Sequence, residues 1–291
     1  MFGLFGFNTN RFSQLLDFST RVFLERVYET PTQADIDAYN ALFVALKEPN
    51  SYATGVTLFE KIDCLFLLQN HDSSHTLTTN RGSNKPSTAL INAVNPMSTP
   101  AMPYNAIACV RKAGVTGNAV DKYIDTMYAP SGSSNFKQNN ASIVLYVQSA
   151  VQASGYVDTG RINQNTNMRT QIASNTDGTN TAAALANGAS IYGAFGSGKF
   201  RGITRSSGTN ANILADGFGS SVAHTSGALS TYNVYLFGRN RFDDVGGTSA
   251  LQTPSANNIY IACYGAGLSS TAYTKLQAAF SSYVTAMSLG K

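Results

Sequence analysis

Residues Asn258–Leu289 read NIYIACYGAGLSSTAYTKLQAAFSSYVTAMSL, one strand running into one long helix. In Asn258–Tyr264, Ile259, Ile261 and Cys263 alternate with Tyr260, Ala262 and Tyr264. That period of two in a β-rich composition is the mark of a strand. Gly265 and Gly267 break it. Ser269 is placed to cap a helix, its hydroxyl accepting from a backbone N–H two or three residues on. Ala272, Tyr273, Leu276, Ala279, Phe280, Tyr283, Val284 and Met287 then recur every three or four residues as one apolar stripe. Gly290 suits the stop. So amphipathic a helix must lie on apolar surface, and the strands before it are the nearest. The pattern predicts a β-sheet covered by a C-terminal helix.

Working outward, the chain has 291 residues, enough for one large β domain or two ordinary ones. Only 12% of them are charged, about half the share of roughly 25% in an ordinary soluble domain. Asn, Ser, Thr and Gly take their place and favour turns and short strands over helices. So low a charge suits a surface covered in an assembly or one that works outside a cell. The net charge of +4 is scattered and gives no case for nucleic acid. Cys64, Cys109 and Cys263 each sit in an apolar run and read as buried free thiols. No run reaches the ~18 apolar residues of a membrane span, and Met1–Phe7 lacks the basic start and cleavage site of a signal peptide. Release of a virus particle by lysis is one route outside a cell without such a signal.

Met1–Asn10 has the character of a peptide arm, with Phe2, Leu4, Phe5 and Phe7 separated by glycines. Arg11–Tyr28 reads as a helix whose Phe12, Leu15, Leu16, Phe18, Val22 and Phe23 cover more than one face, as at an oligomer contact. Pro31 ends it, and Thr32 caps a second helix over Gln33–Lys47 with Ile36, Tyr39, Leu42, Phe43 and Leu46 as its stripe. Residues 1–50 are therefore expected to be a helical arm for assembly or anchoring. A third helix is expected over residues 55–70. His71–Met102 reads as a long polar surface connection. From Ile107 onward, short β-like runs follow one another, separated by Gly, Asn, Ser and Asp, as in a sandwich or jelly roll.

Several of these pieces in this order carry a resemblance. They are Leu58–Asn70 (LFEKIDCLFLLQN), Leu90-Ile91-Asn92 with Asn95-Pro96, Gly117–Thr126 (GNAVDKYIDT), the strand at Asn139–Val147 and the strand–helix ending Ile259–Gly290. The chain from Tyr52 to Lys291 resembles structural proteins of tailed and other bacteriophages with a concanavalin A-like (laminin G-like) jelly roll. Where the family's Tyr-Ile-Asp-Thr usually continues into Gly, Met127 follows here. The resemblance implies a mainly β fold, a jelly-roll sandwich over 51–291 with helix 55–70 and a C-terminal helix 270–289 packed on it. It also implies a virion protein of spike, head or tail, meeting other virion proteins.

Jelly rolls of this shape include glycoside hydrolases, which need two carboxylates facing each other across the bond. Glu60 is the last glutamate in the chain, and Asp243 and Asp244 are neighbours whose side chains on a strand point to opposite faces. Next to Gly246 and Gly247 they read as a turn. His71 and His75 are four apart but lack a third ligand nearby, so a polar loop is expected there rather than a metal site. His224 reads as a hydrogen-bonded strand residue. Asp158, Asp177 and Asp216, with Asn163, Asn165 and Asn167, have the oxygen chemistry calcium takes but no specific motif, and no cofactor is expected. Gly193–Gly198 lacks the Gly-Lys-Ser/Thr of a phosphate loop and reads as a hairpin. Lys199, Arg201 and Arg205 alternate along one run and read as a solvated sheet edge. The 15 tyrosines and the Asn-rich loops suit the aromatic platforms and amide hydrogen bonds of sugar binding.

The first expectation is thus a virion structural protein without enzymatic activity, anchored by its arm and assembled as a homo-oligomer, a trimer first. A receptor-binding adhesin recognising a host-surface glycan stands second, and a polysaccharide hydrolase third.

Overall fold

The structure, a computed structural model, describes residues 16–79, 85–149, 157–163, 166, 168–173, 180–187, 189–194, 199–214, 216–243 and 246–289. Among the described residues there are three α-helices, α1 (Phe18–Arg26), α2 (Gln33–Leu46) and α3 (Ser270–Leu289). The first strands are β1 (Ile62–Leu67), β2 (His75–Thr76), β3 (Met102–Tyr104), β4 (Ala108–Val110), β5 (Gly114–Thr116), β6 (Tyr123–Asp125), β7 (Ala141–Ser149), β8 (Thr159–Asn163) and β9 (Arg169–Ala173). Then come β10 (Asn180–Asn187), β11 (Ile191–Ala194), β12 (Phe200–Arg205), β13 (Asn210–Leu214), β14 (Phe218–Ala223), β15 (Tyr235–Leu236), β16 (Arg239–Asp243), β17 (Thr248–Gln252) and β18 (Asn258–Gly265).

They form two sheets. The first runs β14-β13-β12-β7-β18-β5-β4-β2, with β1 also paired to β18. The second runs β11-β10-β9-β8-β15-β6-β3, with β16 alongside β8 and β17 on β16. Among the described residues every strand pairing is antiparallel except β16 with β8. The protein is a mainly β sandwich with helices at both ends of the chain. Among the described residues no helix is long and apolar enough to cross a membrane.

The alternation of β7 builds two cores. Ile143, Leu145 and Val147 point between the sheets, where Ile203, Ile172, Leu185, Leu236 and Ile124 meet them. Val144 and Tyr146 point the other way, into a second core under the helices. There Tyr273, Leu276, Phe280 and Tyr283 of α3 pack on Leu65, Leu67, Tyr260, Ile261 and Phe200. The expected seat of the C-terminal helix is found, with the Ser269 hydroxyl accepting from the Ala272 N–H at 3.1 Å as its cap.

α2 belongs to that same layer. Tyr39, Phe43 and Leu46 have no exposed surface, and the Tyr39 and Tyr283 rings lie 5.7 Å apart. Thr32 and Asp35 form the capping box that starts it. A sandwich indifferent to loss of residues 1–50 is at odds with this packing. α1 reaches the layer through Phe23, whose ring is 5.1 Å from that of Tyr39. Leu16 and Val22 are half-buried and Phe18 is 67% exposed. The expected assembly residues Phe2, Leu4, Phe5, Phe7, Phe12 and Leu15 lie outside the described residues.

Three expectations are corrected. Residues 55–70 are not a helix: a short 3-10 turn over Phe59–Lys61 leads into β1. β1 lies beside the central strand and is buried on both faces, with Cys64 and Phe66 between the sheets and Leu65 and Leu67 under the helices. A strand buried on both sides is a continuous apolar run, which periodicity cannot tell from a buried helix. In β18 the two faces are not those of simple alternation. The register shifts on either side of Ile259, so Ile259 joins Ala262 and Tyr264 in the inter-sheet core while Tyr260, Ile261 and Cys263 face the helices. Residues 71–102 are not a surface connection throughout, because His71, Asp72 and Ser87–Ile91 are buried. Cys64, Cys109 and Cys263 are buried free thiols, as expected.

Candidate functional site

The side chains nominated from sequence are spread over the molecule. His71 and His75 flank Asp72, their Nε2 atoms 3.7 and 4.0 Å from its carboxylate. His71 Nδ1 lies 2.9 Å from the Tyr39 hydroxyl and Nε2 2.8 Å from the Glu29 carbonyl, while His75 Nε2 lies 2.8 Å from the Ser87 hydroxyl. Asp72 accepts from the Thr88 N–H and hydroxyl, and His71 ties this buried chain to α2 through Tyr39. Glu60 is on the surface, accepting from the Thr57 N–H at 2.7 Å. Asp216 accepts from the backbone N–H groups of Lys199 and Phe200. Asp243 ends β16 at a hairpin, where its carbonyl accepts from the Gly247 N–H. Asp244, Asp177, Asn165, Asn167 and Gly196–Gly198 lie outside the described residues. Among the described residues no three His, Cys, Asp or Glu side chains gather as a metal site.

The expected solvated edge at Lys199, Arg201 and Arg205 is also corrected. β12 is an internal strand between β7 and β13, and Arg201 and Arg205 are buried on its inner side. Arg201 lies 3.9 Å from Asp158, which accepts from Ser255 and Asn257 at 2.7 Å each. Arg205 donates to the His224 carbonyl at 2.6 Å. Burial depresses its guanidinium to about 10, and His224 is held below the usual imidazole value by burial and then by Arg205. These groups pack the sandwich interior.

A different constellation stands on the outer face of the second sheet. In β6, Ile124 points into the inter-sheet core, so Tyr123 and Asp125 on either side of it point outward. Leu236 does the same for Tyr235 in β15. Pairing aligns Tyr104 of β3 with Tyr123, and Tyr235 with Asp125. The rings of Tyr104 and Tyr123 stack at 4.4 Å with 5° between their planes, and those of Tyr123 and Tyr235 at 4.6 Å with 28°. The stack runs from the half-exposed Tyr104 at the edge down to the buried Tyr235. Met102 and Met127 lie beside it, each 40% exposed. Asp125 accepts from the Met127 N–H at 2.8 Å and from the Asn233 amide at 3.3 Å. Burial lifts its carboxyl above the usual range against those two donors. Burial, then Tyr104 and Asp125, likewise raise the Tyr123 phenol.

The face continues along β8, β9 and β16. Arg239 of β16 joins β17 to β9 across β8. Its Nε and Nη2 donate to the Gln252 side-chain oxygen at 3.1 and 2.5 Å, and its Nη1 to that of Gln171 at 2.9 Å. Gly160 lies between Arg239 and Gln171 in register, and a Cβ there would stand 2.5 Å from that of Gln171. Only glycine leaves room for this crossing.

Backbone strain borders the same face. Asn105 after β3, Met127 after β6, Phe237 after β15 and Thr253 after β17 all have φ between 51° and 62°. Non-glycine residues there, above all a buried aromatic such as Phe237, cost of order 1–3 kcal/mol each and gather where function over-determines the backbone. The Met127 φ of 56° lies in the left-handed region that favours glycine. Sequence reasoning missed this face. The alternation around Ile124 and Leu236 was visible; the alignment of Tyr104, Tyr123 and Tyr235 across three strands was not.

No protein-family profile matches the chain, and no curated protein does. Solved structures do. An arabinofuranosidase complexed with arabinofuranosyl-alpha-1,2-xylobiose is 12% identical over 60% of this chain and 41% of its own, at a TM-score of 0.37. A Trypanosoma rangeli sialidase in complex with 2,3-difluorosialic acid is 11% identical over 85% of this chain and 40% of its own, at 0.43. Domain 4 of AbnA, a GH43 extracellular arabinanase from Geobacillus stearothermophilus, in complex with arabinotriose, is 14% identical over 75% of this chain and 98% of its own, at 0.33. The chain thus spans about two fifths of the first two structures. The three are an arabinofuranosidase, a sialidase and a domain of an arabinanase, each described in complex with a carbohydrate ligand, and none of the three is described as a phage protein. The expectation of a chain without enzymatic activity is corrected on this finding and is not carried forward.

Proposed function

We propose that the protein recognises a glycan on the outer face of its second sheet, and that it does so on a phage particle, as an adhesin meeting a host-surface polysaccharide. The observation that carries this is the Tyr104–Tyr123–Tyr235 stack opening at an edge between two exposed methionines. The outer ring, Tyr104, offers a flat apolar platform to the C–H face of a sugar with Tyr123 and Tyr235 backing it, while Asp125, Asn233, Gln171 and Gln252 offer hydrogen bonds beside it. The virion setting is supported by the resemblance of Leu58–Asn70, Gly117–Thr126 and the strand–helix ending to phage structural proteins. Exposed Phe18 on α1 supports a contact of the N-terminal region with another copy or another virion protein.

The test is a glycan array of bacterial surface polysaccharides probed with the wild-type protein and with Tyr104→Ala, with release of reducing ends measured on every glycan retained. Binding by the wild type and its loss in Tyr104→Ala is expected. Undiminished binding by the variant would remove the platform from the account. Reducing ends that appear only with active protein would make the face a catalytic one.

A further inference from the structure

We propose that the glycan is acidic, and that Arg239, flanked by Arg169 and Arg241, receives its carboxylate. The proposal rests on the reading of the tyrosine face as a glycan site and names the class of sugar it takes.

Three arginines share one face of three adjacent strands. Arg239 and Arg241 are two apart on β16, and Arg169 is two before Gln171 on β9. Gly160 and Ile162 of β8 lie between them in register: Arg239 opposite Gly160 opposite Gln171, and Arg241 opposite Ile162 opposite Arg169. Tyr235 also pairs with Gly160, so the tyrosine stack and the arginines meet over that residue.

Among the described residues Arg239 has no ion pair. Its hydrogen bonds go to the neutral amide oxygens of Gln252 and Gln171. Those bonds use three of the five N–H donors of a guanidinium, leaving one on Nη1 and one on Nη2. Two N–H groups on a planar fork are what a carboxylate takes in a bidentate pair. The amide contacts hold the fork still without neutralising it, so its orientation is set before a ligand arrives. Burial, and then the charges of Arg169 and Arg241, bring the Arg239 guanidinium down to about 10. It stays cationic at neutral pH and keeps its attraction for an anion. Among the described residues the other charged groups on this side include Asp125, beside the tyrosines, and Asp243, two residues beyond Arg241 on β16. Neither carboxylate forms an ion pair with Arg239 among the described residues.

The experiment uses the full chain on an array of bacterial capsular and lipopolysaccharide glycans. Each carboxylate-bearing glycan is printed also in its carboxyl-reduced form, and sulfated glycans are included. The expected result is retention of carboxylate-bearing glycans, with at least a tenfold loss on carboxyl reduction and affinity falling as salt rises. Arg239→Gln should lose that discrimination, and Arg239→Lys should recover part of it, since charge returns without the fork. Arg241→Gln, at an exposed position, should weaken binding several-fold with the thermal transition unchanged, which keeps the test valid if Arg239→Gln folds poorly. Equal binding of native and reduced glycans, a preference for sulfated glycans, or no binding to any carboxylated glycan overturns the proposal. Neutral glycans bound by the wild type and lost in Tyr104→Ala would leave the tyrosine face standing and sink the acidic ligand alone.

Discussion

Both outer faces of the sandwich carry aromatic clusters, and the two are put to different use. On the first sheet, Tyr146 and Tyr260 stack at 6.0 Å, with Phe200 edge-on to Tyr146 at 4.9 Å and Tyr273 of α3 closing over Phe200. All four rings are buried beneath the helices. On the second sheet, Tyr104, Tyr123 and Tyr235 stack as closely, but the outermost ring keeps more than a third of its surface in water. Nor are their neighbours alike. Beside the buried cluster stand Leu65, Leu67, Ile261 and Phe280; beside the open one stand Arg239, Gln171, Gln252 and Asp125. The same strand alternation thus makes one face into core and the other into a surface with stacking and hydrogen-bonding groups side by side.

The comparison breaks first if the helical layer is dispensable. A chain beginning at Ser51 would uncover Tyr283 by removing Tyr39, whose ring lies 5.7 Å from it, along with Leu42, Phe43 and Leu46 of the same core. It should lose cooperative unfolding in denaturant; a sharp transition with native circular dichroism would show that α2 is not part of the core. Next in size is Phe280→Ala, which empties a fully buried site in the same layer. A loss of about 3–5 kcal/mol is expected from chemical denaturation, and a change near zero would contradict the packing described.

Acid should act on this layer too. For Asp35, burial raises the carboxyl, but hydrogen bonds from Lys112 and Thr32 outweigh it and leave the value below the ordinary one. Lys112 Nζ lies 2.7 Å away and both groups are buried. For Asp17, burial is likewise outweighed by Lys47 and the Ser19 N–H. A depressed carboxyl stabilises the fold above its unfolded value of about 3.9, and that contribution is lost as pH falls through the folded value. Stability should therefore drop from about pH 4 downward, with a shallower slope in Asp35→Asn. An unchanged slope in that variant would remove the pair from the account. The smallest effect belongs to the open face. Tyr104→Ala forfeits a ring contact of about 0.5–1.5 kcal/mol. It should shift the thermal midpoint by only a few degrees, and a loss as large as that of Phe280→Ala would mean the tyrosine stack serves as core.

How much of this was legible depends on how far apart the partners lie in sequence. α2 and α3 were readable because their stripes and caps are local: Thr32 with Asp35, Ser269 with Ala272. β1 was not, because burial on both faces erased the period of two in Ile62–Leu67. β18 was found, but register shifts around Ile259 moved its faces, and nothing in Asn258-Ile259-Tyr260 marks them. Arg201 and Arg205 were correctly given one face, yet whether that face is wet depends on β12 having β13 beyond it. The candidate site suffers most, since Arg239, Gln171 and Gln252 come from three strands, and the stack joins residues 104, 123 and 235. Sequence offered the tyrosines but not Arg239, Gln171 or Gln252, nor the register that aligns them.

Amide hydrogen exchange, measured on the full chain with and without the array glycan it retains most strongly, separates the two faces directly. Added protection is expected over Met102–Tyr104, Tyr123–Met127 and Tyr235–Arg241, with Gln33–Leu46 and Ser270–Leu289 unchanged. Protection confined to the helical layer, with the tyrosine and arginine strands unaltered, would contradict the claim that the open face of the second sheet is where this protein meets its ligand.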